Sequence, residues 1–302
     1  MKRCFAISVF FLSAYLLILG CCSNSNDPDI QEKPAAQDNS GKEAPSEDAE
    51  DSTEPDAPNA PDSPDTPDGP KTVKGVKDLQ SYLASLPENT GANPYPVKVT
   101  GINLASGAAN NLKGLYTALS RYVALDLSDC AGEKFAGVTP ANALNRKSYV
   151  QAVILPRGLR TIAVNAFVGC TELVSVDMPG VDTIMNGAFN GCYKLETVTM
   201  EEVVSIKNDT ASSAGAFNGC AALSSVSLPK LTEIGKRSFA GCTGLEYLIL
   251  GETPPTLGNA VFSDNTPGII YVPAQAIDTY RNISTETTNW TDALKAKIRA
   301  LP

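Results

Sequence analysis

The chain has 302 residues, a formal charge of −9 and no histidine. Without His there is no Ser-His or Cys-His nucleophile pair, no His metal ligand and no His general base, which argues against an enzyme. Ser23 to Pro70 holds 14 Asp and Glu against 2 Lys, or −12; with Lys2 and Arg3 set aside, residues 71–302 sum to +1. A near-neutral folded part lacks the clustered Lys and Arg that neutralise phosphates, and no nucleic-acid partner is expected.

Lys2 and Arg3 precede an apolar run from Phe5 to Leu19 that ends in Ile18-Leu19-Gly20-Cys21. This is the layout of a secretory signal, and it is too short for a comfortable transmembrane helix. Ile-Leu-Gly-Cys resembles the lipobox of bacterial lipoproteins. The resemblance implies a signal peptide over 1–20 and lipidation of Cys21 as the first mature residue; the alternative is an ordinary cleaved signal with Cys21 and Cys22 as bystanders. Acyl chains contribute about 0.8 kcal/mol per buried methylene, so the expected product is exported and membrane-anchored without spanning, at the outer membrane or cell surface. Residues 21–70 follow as an acidic Pro/Asp-rich tether. It has too few apolar side chains to fold, and its prolines favour an extended path of about 3.1 Å per residue.

Residues 71–148 read as an N-terminal cap with the first degenerate repeats. Val76 to Leu86 and Leu112 to Leu119 place Leu79, Leu83 and Leu86, then Leu112, Leu115, Tyr116 and Leu119, at helical spacing. From 149 to 273 the chain repeats itself. Asn165-Ala-Phe-Val-Gly-Cys170, Gly187-Ala-Phe-Asn-Gly-Cys192, Gly215-Ala-Phe-Asn-Gly-Cys220 and Arg237-Ser-Phe-Ala-Gly-Cys242 place Phe at 167, 189, 217 and 239, with a degenerate copy at Phe262. The spacings of 22, 28, 22 and 23 give a period of 22 with one insertion, at Lys207 to Ser213.

After each Cys a short strand recurs, as in Leu173, Val176, Met178 and Leu195, Val198, Met200. A unit of this length cannot bury its apolar side alone, so units must stack with their strands in a parallel sheet. Tyr122 to Leu127, Val150 to Leu155 and Ile269 to Val272 bring the expected strands to seven, with Val97 to Ile102 as an eighth. Residues 274–302 read as a C-terminal cap in which Trp290, Leu294, Ile298 and Leu301 form the apolar stripe of a final helix.

The string G-A-F-x-G-C followed by L-x-x-V-x-L-P resembles the BspA-like leucine-rich-repeat proteins, a family of surface lipoproteins, over residues 150–273. The resemblance implies an α/β solenoid: a leucine-rich-repeat right-handed superhelix with one parallel sheet and helical N-terminal and C-terminal caps. It further implies a surface binding protein or adhesin, whose partner is a protein or glycan on a host or bacterial cell. An envelope-organising lipoprotein without a foreign ligand is the alternative. The motif carries no catalytic residue.

Cys130, Cys170, Cys192, Cys220 and Cys242 are odd in number, and four share one repeat position, so a ladder of inward thiols is expected. No cofactor or metal is expected: thiolate zinc sites favour closer pairs, and no nucleotide-binding or hydrolase motif occurs in 71–302. Asp126 and Asp177 face outward two strands apart, roughly 9 to 10 Å, but lack a desolvating neighbour suited to glycoside hydrolysis.

Period-two alternation points Val176 and Met178 inward and Ser175 and Asp177 outward. The outward row runs from small hydroxylated residues, Thr197 and Thr199 among them, to Tyr247, Ile249, Ile269 and Tyr271, residue types that anchor interfaces. This row, with Asp177, is the candidate binding surface. A C-terminal segment from Gln275 that folds back over the Tyr and Ile side chains is the competing expectation.

Overall fold

The computed structural model describes residues 70–105, 112–135, 149–207, 214–285 and 288–302, and every structural statement below concerns these. The signal, Cys21, nearly all of the tether and residues 208–213 of the insertion lie outside them.

The chain opens with β1 (Lys71–Lys74), α1 (Gly75–Ser85), β2 (Tyr95–Thr100), α2 (Leu112–Ala118), β3 (Val123–Asp126) and β4 (Lys134–Phe135). Each turn then contributes a longer strand and a two-residue one: β5 (Val150–Ile154) with β6 (Thr161–Ile162), β7 (Ser175–Asp177) with β8 (Thr183–Ile184), and β9 (Thr197–Thr199) with β10 (Ser205–Ile206). β11 (Ser225–Leu228) with β12 (Glu233–Ile234) and β13 (Tyr247–Leu250) with β14 (Thr256–Leu257) follow in the same way. The chain closes with β15 (Ile269–Val272), a 3-10 turn (Ala274–Ala276), α3 (Ile277–Arg281), α4 (Asp292–Lys295) and β16 (Ile298–Ala300).

Strands with the same role pair in parallel, one per turn. The single sheet expected from the sequence is instead two ladders. The main ladder runs β1-β2-β3-β5-β7-β9 and resumes as β11-β13-β15-β16; the second runs unbroken from β4 through β6, β8, β10 and β12 to β14. The second ladder follows from Ile162, Ile184, Ile206, Ile234 and Leu257, one inward residue per turn, all buried.

The interruption between β9 and β11 coincides with the insertion. Val198, the inward residue of β9, is only partly buried, whereas its equivalents Val176, Val226 and Leu248 are at most 1% exposed. Elsewhere the same two turns stay joined. Phe189 N–H donates to Ala216 O at 2.7 Å, Gly191 N–H to Asn218 O at 2.8 Å and Ala222 N–H to Tyr193 O at 3.2 Å. β10 pairs with β8 and β12 on its two sides.

The repeated Phe residues form a column through the core. Phe135, Phe167, Phe189, Phe217, Phe239 and Phe262 stack face over face, with successive centroids 4.8 to 5.9 Å apart. Phe135 extends the column one turn earlier than the repeats in the sequence. The column works because its flanking turn keeps one geometry: the Gly before each repeat Cys is left-handed, with φ from 68° to 77° at Gly169, Gly191, Gly219 and Gly241. Two residues before Phe the backbone is also left-handed at Asn165, Gly187, Arg237 and Ala260, but not at Gly215, where the insertion enters.

The flanks correct two expectations. At the front, α1 buries Leu79 and Leu83 as its spacing requires, but β1 joins the ladder as well, pairing Val73 with Val99. At the back, the expected final helix is confined to four residues, Asp292–Lys295. Ile298 is buried because β16 pairs in parallel with β15, through Ile270↔Ile298 and Tyr271↔Arg299. Leu301 is exposed and belongs to no apolar stripe. Trp290 reaches the core from an irregular stretch. Its indole N–H donates to Pro255 O at 2.9 Å, and its ring meets Tyr280 edge-on at 5.3 Å.

Candidate functional site: the outward face of the main ladder

Register fixes which side chains share the outward face. One row runs Lys98, Asp126, Ile154, Asp177 and Thr199 across β2, β3, β5, β7 and β9. After the interruption it resumes as Ser227, Ile249, Tyr271 and Arg299. The neighbouring row runs Ala124, Ala152, Ser175 and Thr197, then Ser225, Tyr247 and Ile269.

Along these rows the chemistry changes. At the N-terminal end, Lys98 Nζ lies 2.9 Å from Asp129 and 3.8 Å from Asp126, and the hydrogen bond to Asp129 holds the ammonium above its usual range. In the middle, the Thr199 hydroxyl donates to Asp177 Oδ1 at 2.5 Å and accepts from Met178 N–H at 3.0 Å. Both Asp177 and Thr199 are thereby engaged within the protein, and Thr197 is the exposed hydroxyl of that strand. Ser175, expected outward, is only 8% exposed, its short side chain flanked in register by Ala152 and Thr197.

At the C-terminal end, Tyr247, Ile249, Ile269 and Tyr271 form a square on β13 and β15. The two tyrosines lie on its diagonal, with centroids 6.0 Å apart and planes inclined by 23°. Tyr247 is 40% exposed, and Ile249, Ile269 and Tyr271 are half-buried. Among the described residues the C-terminal segment extends the ladder through β16 beside β15 and leaves Tyr247 exposed. The structure brings these four sequence-predicted residues together on one face. Sequence reasoning missed Arg299, in register with Tyr271; the alternation Lys297-Ile298-Arg299-Ala300 was the available signal.

Asp126 and Asp177 do occupy one row with Ile154 between them. Asp126 Oδ1 accepts from Ser128 N–H, and Asp177 is held by Thr199. Each is tied into a local turn or strand contact, and the side chain of Ile154 stands between them in the row.

The repeat cysteines form the expected inward ladder, and Cys130, Cys170, Cys192, Cys220 and Cys242 are all buried. The Cys192, Cys220 and Cys242 thiols donate to the carbonyls of Phe167, Phe189 and Phe217, each in the preceding turn, at 3.1 to 3.2 Å. Burial pushes Cys130 up to about 11 and Cys242 up to about 12. The side-chain contact with Cys192, followed by burial, raises Cys170 well above its usual value, and burial does the same to Cys220. Thiols kept protonated in this way are poor nucleophiles and poor metal ligands. Among the described residues no group of Cys, Asp and Glu is arranged to hold a metal, and no helix is long and apolar enough to cross a membrane.

The BspA type leucine rich repeat region matches the chain in six copies, over residues 139–268 and 210–283. Among solved structures, a leucine-rich repeat protein of T. pallidum is 26% identical over 45% of this chain and 73% of its own, with a TM-score of 0.33. A leucine-rich repeat protein from Bacteroides ovatus is 14% identical over 68% of this chain and 78% of its own, with a TM-score of 0.25. No curated protein matches the chain. The motif matches in six copies over residues 139–283, where four stacked turns each carry one Phe, one left-handed Gly and one buried Cys, and this stretch of the chain is a BspA-type leucine-rich-repeat region.

Proposed function

We propose that this protein is a surface lipoprotein, anchored through Cys21, that presents a right-handed solenoid capped at both ends on an acidic tether and binds protein or glycan on a host or neighbouring cell. Repeats of this family suggest a protein for protein interactions, and adhesion is the form that reading takes here. The observation that carries it is the square of Tyr247, Ile249, Ile269 and Tyr271 on the outward face of the ladder. Aromatic and aliphatic side chains on a rigid sheet lose little conformational entropy on binding, which is why such residues dominate interface energetics. The export signal and lipobox in residues 1–21 support the location, and the tether supports display away from the membrane.

Protease shaving of intact cells, with mass spectrometry of released peptides from residues 71–302, tests the placement. Release is expected; full protection would favour an envelope-organising role inside the cell surface. Binding of the purified protein to host or bacterial cells is expected to fall at least tenfold in the Tyr247→Ala, Tyr271→Ala double variant at unchanged thermal stability. Unchanged binding would remove the square from the reading.

A further inference from the structure

The surroundings of the square are chemically one-sided. Residues 161–302 carry 14 carboxylates against 9 Lys and Arg, yet Lys297 and Arg299 both fall at the edge of the square. Arg299 is in register with Tyr271, and Lys297 O accepts from Ile270 N–H at 3.0 Å, which sets Lys297 beside Ile269. Neither Lys297 nor Arg299 has a carboxylate within ion-pairing distance among the described residues. Arg299 donates to Ala296 O at 2.9 Å and Ile298 O at 2.8 Å, both through Nη1, so the rest of its guanidinium remains open to a bidentate acceptor.

On the opposite flank the square meets Ser225 and Ser227, not further charge. An apolar, partly aromatic platform with unmatched cations along one side fits a ligand that is apolar and anionic at once. A neutral glycan would leave the charges of Lys297 and Arg299 unmatched. An acidic polysaccharide would use the cations and leave the apolar square idle.

We infer that the partner is a protein segment that sets carboxylates beside apolar side chains, packing the apolar groups on Tyr247, Ile249, Ile269 and Tyr271 and its carboxylates on Arg299 and Lys297. This rests on the reading that the outward face binds, and it names the chemistry of what binds there. Arg and Tyr are among the residues enriched where truncation costs an interface most, and charge at the rim of an apolar patch also governs the rate of encounter.

The test uses the full-length protein, immobilised and panned against a random 12-residue peptide library, with a heparin oligosaccharide as the glycan probe. Enriched peptides are expected to combine Asp or Glu with Leu, Ile, Phe or Tyr. They are expected to weaken at least tenfold on Tyr271→Ala and, separately, on Arg299→Glu, and to weaken as salt rises. Enrichment of basic or uncharged peptides, or none, overturns the inference. Peptides that depend on Tyr247 and Tyr271 but ignore Arg299→Glu and Lys297→Glu overturn it while leaving the proposed binding face standing. Heparin binding lost on Arg299→Glu but not on Tyr271→Ala overturns it in favour of an anionic polysaccharide. Peptides indifferent to every variant remove the binding face as well. Matching thermal unfolding curves for all variants guard against loss of fold.

Discussion

Thr199 shows how much one hydroxyl can do at the end of a strand. Met178 N–H donates to its side-chain oxygen, and that same hydroxyl donates to Asp177. Thr199→Val removes both partners at one position and is expected to cost about 1 to 3 kcal/mol, because a backbone N–H and a carboxylate are left without their bonds. Thr197→Val, one register position away and exposed, is expected to stay within about 0.5 kcal/mol. Urea unfolding of both variants makes the comparison; equal costs would show that the Thr199 relay carries no stability. At this scale the sequence was legible where a residue repeats and opaque where it does not. The inward thiols followed from four equivalent Cys, whereas Ser175 turned out buried because its exposure depends on the height of its neighbours, which alternation does not encode.

At the scale of elements, the C-terminal flank departs most from its pattern. Trp290, Leu294 and Ile298 recur every four residues as a helix would have them, yet three different environments bury them: an irregular stretch, the short α4 and the strand β16. Helical periodicity and a sequence of local burials look alike over so few positions. The two-residue strands of the second ladder were missed for the opposite reason, since two residues are too few to show any period. Trp290 ties this flank down through its indole bond to Pro255 O and its edge-on contact with Tyr280, whose hydroxyl donates to Gly251 O and Thr253 O. Trp290→Ala is expected to destabilise by about 3 to 5 kcal/mol, measured by circular dichroism melting. Trp290→Phe keeps most of the ring and is expected to lose only about 1 kcal/mol with the indole bond. A Phe variant as damaged as the Ala variant would mean that the hydrogen bond, not the packing, holds the flank.

For the whole molecule, the buried thiols make stability depend on alkaline pH in a direction fixed by their burial. A thiol whose folded pKa is raised above its ordinary value of 9.0 contributes stability that is fully present below about 9 and lost as pH rises toward the folded value, about 11 for Cys130 and about 12 for Cys242. The urea midpoint is therefore expected to hold level from pH 7 to 9 and to fall between 9 and 12, with a shallower fall in Cys242→Ala once both proteins are referred to their own neutral midpoint. An identical slope in the two proteins would assign the fall to other groups.

The interruption between β9 and β11 reaches beyond binding. The other junctions from β3 to β13 are fastened by both ladders, while this one relies on the second ladder, the Phe column and the turn bonds. Adjacent turns in a stacked array interact mainly with their nearest neighbours, so an array can grow or shrink most cheaply where one set of pairings is already absent. A spare repeat spliced in after residue 207 would break no strand pairing of the main ladder. The same joint that bears the insertion is thus the natural splice point for lengthening or shortening the protein, in a laboratory or across generations.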